Sequence, residues 1–210
     1  IMKIAIIGAN GKVGKQIVKE ALNKKHDVTV IVRNENQSEA NKIIQKDLFD
    51  LKMSDLSNFD AVINAAAFWT PETLSDYTKS LKYLSDILSG KNIYLLIVGG
   101  TGSLFVDKEH KVQLYQTSDY PEKYKPLAAA KSESFNELLK RNDILWTYVC
   151  PPKNFDEKGK RTGKYLLRGD EFTLNDKGES YISYADFAVA LIDEAEKREH
   201  NRQKISILGI

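Results

Sequence analysis

The 210-residue chain has a single cysteine, Cys150, so it builds neither an internal disulfide framework nor a cysteine-rich metal site, a usage that fits a reducing compartment. Its three histidines, at 26, 110 and 200, are scattered without metal-ligand spacing, and no nucleophile triad is visible. Net charge is equally scarce. Lysine plus arginine (31) against aspartate plus glutamate (29) leaves +2, which gives no general pull toward nucleic acid or an anionic membrane. No apolar run approaches the roughly 20 residues needed to span a bilayer. The N-terminal apolar stretch breaks at Gly8 and carries no basic leader, so it reads as a first strand and not as a signal peptide. Met2 is read as the natural start, with Ile1 set aside. No internal repeat, low-complexity segment or flexible linker divides the chain, and it is too short for two ordinary domains of equal size. The expectation is one domain over 2–210, in the cytoplasm.

What is present begins at residues 3–14, Lys-Ile-Ala-Ile-Ile-Gly-Ala-Asn-Gly-Lys-Val-Gly, an apolar strand running straight into glycines at 8, 11 and 14. Gly8 lets the chain turn sharply off the strand. Gly11 leaves no side chain between backbone and a pyrophosphate, and Gly14 lets the next helix pack close to the sheet with its N-terminal N–H groups facing the phosphates. The spacing is Gly-x-x-Gly-x-x-Gly, not the commoner Gly-x-Gly-x-x-Gly, so the context has to support it. Val13, Ile17, Val18, Ala21 and Leu22 recur at helical spacing, and a second strand over 27–32 completes a strand, helix and strand unit. This predicts a bound dinucleotide, with Gly8, Asn10, Gly11, Lys12, Val13 and Gly14 around its pyrophosphate.

Apolar runs at 3–7, 28–32, 42–45, 60–66, 93–98 and 144–149 alternate with helix-patterned segments, the rhythm of an α/β, Rossmann-like, doubly wound parallel sheet covered on both faces. Tyr77, Leu81, Leu84 and Leu88 form one core stripe, and Ala128, Phe135, Leu138 and Leu139 another. After Val149 come Pro-Pro, a basic glycine-containing loop (153–164), short strand candidates near 172–174 and 180–183, a helix at 185–197 and a last strand at 204–208. Residues 151–184 read as a small C-terminal cap on the substrate side. Loops at 8–14, 33–36, 65–70, 99–105 and 151–156 are expected to converge on one cleft beyond the carboxyl ends of the strands.

Several residues in those loops suit a cofactor. About 20 residues beyond the glycines, where an acid would hold a free ribose 2′-hydroxyl, stand Arg33 and Asn34. A guanidinium suits a 2′-phosphate, so NADP(H) is preferred over NAD(H), with a solvated arginine and the nearby Glu35 as the counter-reading. Asp47 and Leu48 lie where an adenine ring takes hydrogen bonds, although Asp47 could equally cap a turn. Ala65, Ala66 and Ala67 permit close passage of the cofactor. Gly99, Gly100, Thr101 and Ser103 close the fifth strand beside the nicotinamide. Thr101 or Ser103 either orients a substrate oxygen or satisfies the turn. Phe68, Trp69 and Phe155 either stack on a flat acceptor or pack the cap. Lys158, Lys160, Arg161 and Lys164 either meet a flavin phosphate or form a solvated loop.

On the glycine stretch 8–14, Val-Gly-Gly-Thr-Gly-Ser at 98–103, Trp-Thr-Tyr-Val at 146–149 with Pro151-Pro152, Gly-Lys-Arg-Thr-Gly-Lys-Tyr at 159–165 and Gly-Glu-Ser-Tyr-Ile-Ser-Tyr-Ala-Asp at 178–186, nearly the whole chain resembles one family. It is similar to the short-chain dehydrogenase/reductase superfamily, in its atypical NmrA-like and biliverdin-reductase-B-like NAD(P)H-binding members, and within these to NADH-flavin reductases. The resemblance implies a nicotinamide cofactor, Lys131 and Pro151 as further cofactor-binding residues, and a monomer or homodimer. One departure matters. The superfamily's standard members carry Tyr-x-x-x-Lys, and here the matching place reads Leu127-Ala128-Ala129-Ala130-Lys131, keeping the lysine without the acid. Alcohol oxidation or sugar epimerisation needs a positioned acid/base, whereas hydride transfer to a flavin, quinone or similar conjugated small-molecule acceptor needs chiefly orientation. The expectation is therefore an NADPH-dependent reductase with a flavin possible as substrate. The alternative is a non-catalytic NADP(H)-sensing regulator of NmrA type.

Overall fold

Ile4 and Ile6 face one side of the first strand and Ala5 and Ile7 the other, and all four are buried, so β1 (Lys3–Ile7) demands a helical layer on each face. In the computed structural model, which describes residues 1–210, there follow α1 (Lys12–Asn23), β2 (Asp27–Val32), β3 (Lys42–Gln45), α2 (Met53–Leu56), β4 (Ala61–Asn64), α3 (Asp76–Leu88), β5 (Tyr94–Val98), α4 (Lys125–Leu139) and β6 (Leu145–Cys150). The chain ends with β7 (Asn154–Asp156), β8 (Leu166–Arg168), β9 (Tyr181–Ser183), α5 (Tyr184–Lys197) and β10 (Gln203–Leu208). The main sheet runs β3-β2-β1-β4-β5-β6-β10-β8 and is parallel except for β8, which pairs antiparallel with β10. This is the expected Rossmann-like α/β architecture.

Alternate residues of each strand feed two separate cores. Ile4, Ile6, Val28 and Val30 pack with Ile17 and Val18 of α1 and Phe187 and Leu191 of α5. Ala5, Ile7, Val62 and Leu95 pack with Leu81, Leu84 and Leu88 of α3 and Phe135 and Leu138 of α4. The predicted stripes are thus core, except that Leu139, the last residue of α4, is 51% exposed. Strand order reverses beside β1, with β2 and β3 on one side and β4 onward on the other, which opens a crevice at the carboxyl ends of β1, β2 and β4.

The C-terminal region departs from expectation in one respect. Residues 172–174 form no strand. The segment touches Phe105 only through an isolated bridge at Glu171, and the edge strand is instead Leu166–Arg168, set against Ser206, Ile207 and Leu208. Part of the predicted cap therefore extends the main sheet, while β7 and β9 form a separate parallel pair.

The two most specific motifs prove to be a clasp. The Asp186 carboxylate accepts the N–H groups of Thr162 (2.8 Å) and Gly163 (2.9 Å) and the Thr162 hydroxyl (2.7 Å). Arg161 forks onto the buried Glu20 of α1 through two 2.9 Å bonds, so its guanidinium is committed to the fold, and Lys158, Lys160 and Lys164 are exposed as in a solvated loop. Phe155 packs on Tyr184 and Phe187, joining the β7 end to α5. Ser183 caps α5 by accepting the Asp186 N–H. Asp186→Ala leaves three donors unpaired and should lower unfolding stability by roughly 3 kcal/mol in denaturant titration, with new proteolytic cleavage within 157–165.

Candidate functional site

The backbone at the switch point is pressed too tightly for side chains. Gly8 sits at φ +78°, and a Cβ on it would lie 2.6 Å from the Ala65 carbonyl oxygen. A Cβ on Gly14 would lie 2.1 Å from the Gly8 carbonyl oxygen, so α1 bears directly on the turn. Gly11 caps α1 with no side-chain hydrogen bond, and the helix has no acid in its first turn. Its leading N–H groups and the positive end of its dipole therefore remain free for an anion.

A cleft of about 430 Å³ opens beside this turn. Gly8, Asn10 and Gly11 line one wall, Arg33 and Asn34 beyond β2 another, and Asp47 and Leu48 beyond β3 a third. Ala65, Ala66 and Ala67 line the side beyond β4, where Trp69 stands 73% exposed at the mouth. Arg33 has no carboxylate within 4.0 Å and makes no hydrogen bond, so its guanidinium is unspent at the cleft. Asn10 is used differently from expectation. Its amide donates to the Glu35 carbonyl (2.9 Å) and accepts from the Gln37 N–H (2.7 Å), tying the glycine turn to the loop that carries Arg33. Asp47 accepts the Phe49 N–H (2.9 Å), the turn-capping role, with its side chain still at the cleft wall.

The other expected residues lie outside this cleft. Lys12 pairs with Glu157 of the clasp loop (3.1 Å), and that partner raises its pKa. Val13 and Gly14 belong to the helix body. A Cβ on Gly99 would overlap the ring of the buried Tyr148, and Gly100 abuts the Lys131 side chain. Lys131 is partly buried, its ammonium 5.5 Å from the centre of the Tyr77 ring and without any carboxylate partner, and burial pulls its pKa down. Ser103 is 2% exposed and its hydroxyl donates to the Gly100 carbonyl (3.0 Å), so it satisfies the turn. From β10, buried Lys204 donates to the Ser103 carbonyl (2.7 Å) between the rings of Phe105 and Phe135, fastening the same turn. The Thr101 hydroxyl and the buried Pro151 border a separate gap of only about 10 Å³. Three of the five loops thus form the open cleft, while those at 99–105 and 151–156 do not join it. Tyr77, Lys131 and Tyr148 close around a gap of about 10 Å³ at the carboxyl end of β5.

Cys150 ends β6 fully buried, its thiol pushed up by that burial. Each histidine faces a carboxylate, His26 with Glu196, His110 with Glu171 and His200 with Glu194. No group of three or more His, Cys, Asp or Glu side chains converges as a metal site would require. No helix is long and apolar enough to cross a membrane. Sequence reasoning missed Lys46, which lines the cleft while bound to Asp55 (2.9 Å), together with Phe49, Thr73 and Asp76. None of these carried a spacing signal.

The residues fit a dinucleotide: free helix N–H groups, a close-approach glycine, an unspent guanidinium and small residues along one wall. Residues 8–195 match the family of NAD(P)H-binding proteins. The chain is 41% identical over 210 residues to the uncharacterized protein YwnB of Bacillus subtilis (strain 168), covering 99% of each. A crystal structure from Streptococcus pneumoniae TIGR4 described as a "putative NADH-flavin reductase" is 47% identical and superposes with a TM-score of 0.98, covering 100% of both chains. Another from Bacteroides thetaiotaomicron, a "putative epimerase", is 32% identical with a TM-score of 0.86, covering 100% of this chain and 98% of that one. At Gly11 an added Cβ meets only the Gly8 carbonyl oxygen, at 3.3 Å. Gly11→Ala should therefore leave the melting temperature within about 2 °C of the parent while weakening nucleotide binding about tenfold, read from Trp69 fluorescence.

Proposed function

We propose, from the premise that the chain belongs to the NAD(P)H-binding family, that it is an NADPH-dependent reductase passing hydride to a flavin, a quinone or a similar conjugated small molecule. The observation that carries the cofactor choice is Arg33, an unpaired guanidinium at the carboxyl end of β2. No carboxylate lines that wall beside Arg33 and Asn34, and the Glu35 backbone is turned to Asn10. A forked cation with no other partner recognises a phosphate monoester better than a ribose hydroxyl.

When bound, the reduced nicotinamide supplies the hydride. The chain's own part is to hold and orient: the Gly8–Gly11 turn and the α1 N-terminus for the pyrophosphate, Arg33 for the 2′-phosphate, Leu48 and Asp47 for the adenine, and Lys131 for the second ribose. Leu127 stands where the superfamily's tyrosine would be, and its side chain can neither give nor take a proton. That favours acceptors whose own conjugation carries the difficulty of the step. The description attached to the Streptococcus pneumoniae structure supports the same class. A sensing regulator is the second reading, favoured by the narrowness of the space near Gly99 and Gly100.

Arg33→Ala should weaken NADPH binding about tenfold and leave NADH binding unchanged, a loss of one charge-assisted contact. Tighter binding of NADH than NADPH by the parent would overturn the cofactor choice. NADPH-dependent reduction of riboflavin or menadione above background supports the reductase. Binding without turnover across flavins, quinones and dyes would replace it with the regulator.

A further inference from the structure

A gap of about 10 Å³, room for a single oxygen atom, adjoins the main cleft at Ala66 and Phe68, which line both, and lies between the carboxyl ends of β4 and β5 on the side of α3 and α4. Its polar groups are one-sided. Ser80 and Ser134 spend their hydroxyls on the carbonyls of Tyr77 and Lys131, and Tyr148 turns its own to the Lys131 carbonyl. What remains is three donors: the Lys131 ammonium, the Asn64 amide nitrogen and the Tyr77 hydroxyl. Asn64 accepts the Ala66 N–H through its oxygen (3.1 Å), which directs its nitrogen away from that bond. Tyr77 accepts the Phe68 N–H (3.1 Å), so the phenol oxygen is anchored while its own proton goes to no protein acceptor. No carboxylate lines the cavity.

Three donors and no acid, beside a cleft that also holds an unpaired guanidinium, suit a ligand group rich in oxygen lone pairs. A vicinal diol is such a group, and the second ribose of a dinucleotide, one pyrophosphate beyond the first, offers one. We infer that Tyr77 is a cofactor-binding residue, donating from α3 to the diol of the nicotinamide ribose alongside Lys131 from α4. The inference rests on the dinucleotide reading of the cleft and adds a residue to it. The aromatic face of Tyr77 also steadies the Lys131 ammonium, 5.5 Å from its ring centre, in place of a counter-ion. The edge-to-face contact of Tyr77 with Phe68, 5.1 Å between ring centres, fixes the phenol against the loop after β4. Burial raises the phenol's pKa, so at neutral pH it keeps the proton it has to donate.

The test separates the two halves of the cofactor. 2′,5′-ADP carries the adenosine, its 2′-phosphate and one 5′-phosphate, but no second ribose. Y77F should weaken NADP+ binding about fivefold to tenfold and leave 2′,5′-ADP binding unchanged, both read by Trp69 fluorescence and calorimetry without turnover. K131M, which removes the neighbouring donor, should show the same split. If Y77F weakens both ligands equally, Tyr77 acts only by shaping the Phe68 loop, and the inference is overturned. If neither ligand is affected, it is overturned as well. Failure of the parent protein to bind either NADP+ or 2′,5′-ADP would instead reject the dinucleotide reading itself, and this inference with it.

Discussion

The approach of α1 to the carboxyl end of β1 is the contact on which the rest of the site depends. Gly14 brings the helix within 2.1 Å, measured from an imagined Cβ, of the Gly8 carbonyl oxygen, and Gly8 in turn presses on the Ala65 backbone. Only backbone can be packed this tightly, so the helix axis, the turn and the loop after β4 become one rigid corner. The start of α1, uncapped by any side chain, is thereby held beside the cleft that Gly8 and Gly11 line. Asn10 extends the corner to the far side by binding both Glu35 and Gln37, which sets the loop that presents Arg33.

The clasp holds the second half of the chain to this corner. Glu20 of α1 and Asp186 of α5 are both buried acids, and each is satisfied from the loop at 161–163, by Arg161, Thr162 and Gly163. A buried carboxylate is tolerable only when its lone pairs are filled by charged or backbone donors, which accounts for the residue types found there. Lys12 and Glu157 add a surface pair between the same loop and the glycine turn, worth little energetically but continuous with the clasp.

Much of the fold was legible because strand and helix periods differ and because a buried parallel strand reads as an unbroken apolar run. The β1 to β6 alternation, the glycine turn and the place of Arg33 all come from such local signals. The edge strand Leu166–Arg168 was missed because it is three residues long and follows a basic loop, and what makes it a strand is the distant partner Ile207. Asn10 and Arg161 turn their side chains to partners far away in sequence, and Ser103 turns its hydroxyl back to the Gly100 carbonyl of its own turn. Tyr77 was the least legible. Its spacing with Leu81, Leu84 and Leu88 marked it as core, and it is buried, yet its hydroxyl meets the loop after β4 and its ring meets a lysine from another helix. Helical periodicity reports which face a residue is on and says nothing of what a polar tip at the end of that face will find.

The central claim is that the cleft beside the glycine turn, together with the gap at Tyr77 and Lys131 that adjoins it, holds an NADP(H) molecule. A crystal structure of the protein with NADP+ tests it most directly. The account predicts the pyrophosphate over Gly8–Gly11 at the α1 N-terminus, the 2′-phosphate on Arg33 and the second ribose between Lys131 and Tyr77. A nucleotide seated elsewhere, or one whose 2′-phosphate points into solvent away from Arg33, would contradict it.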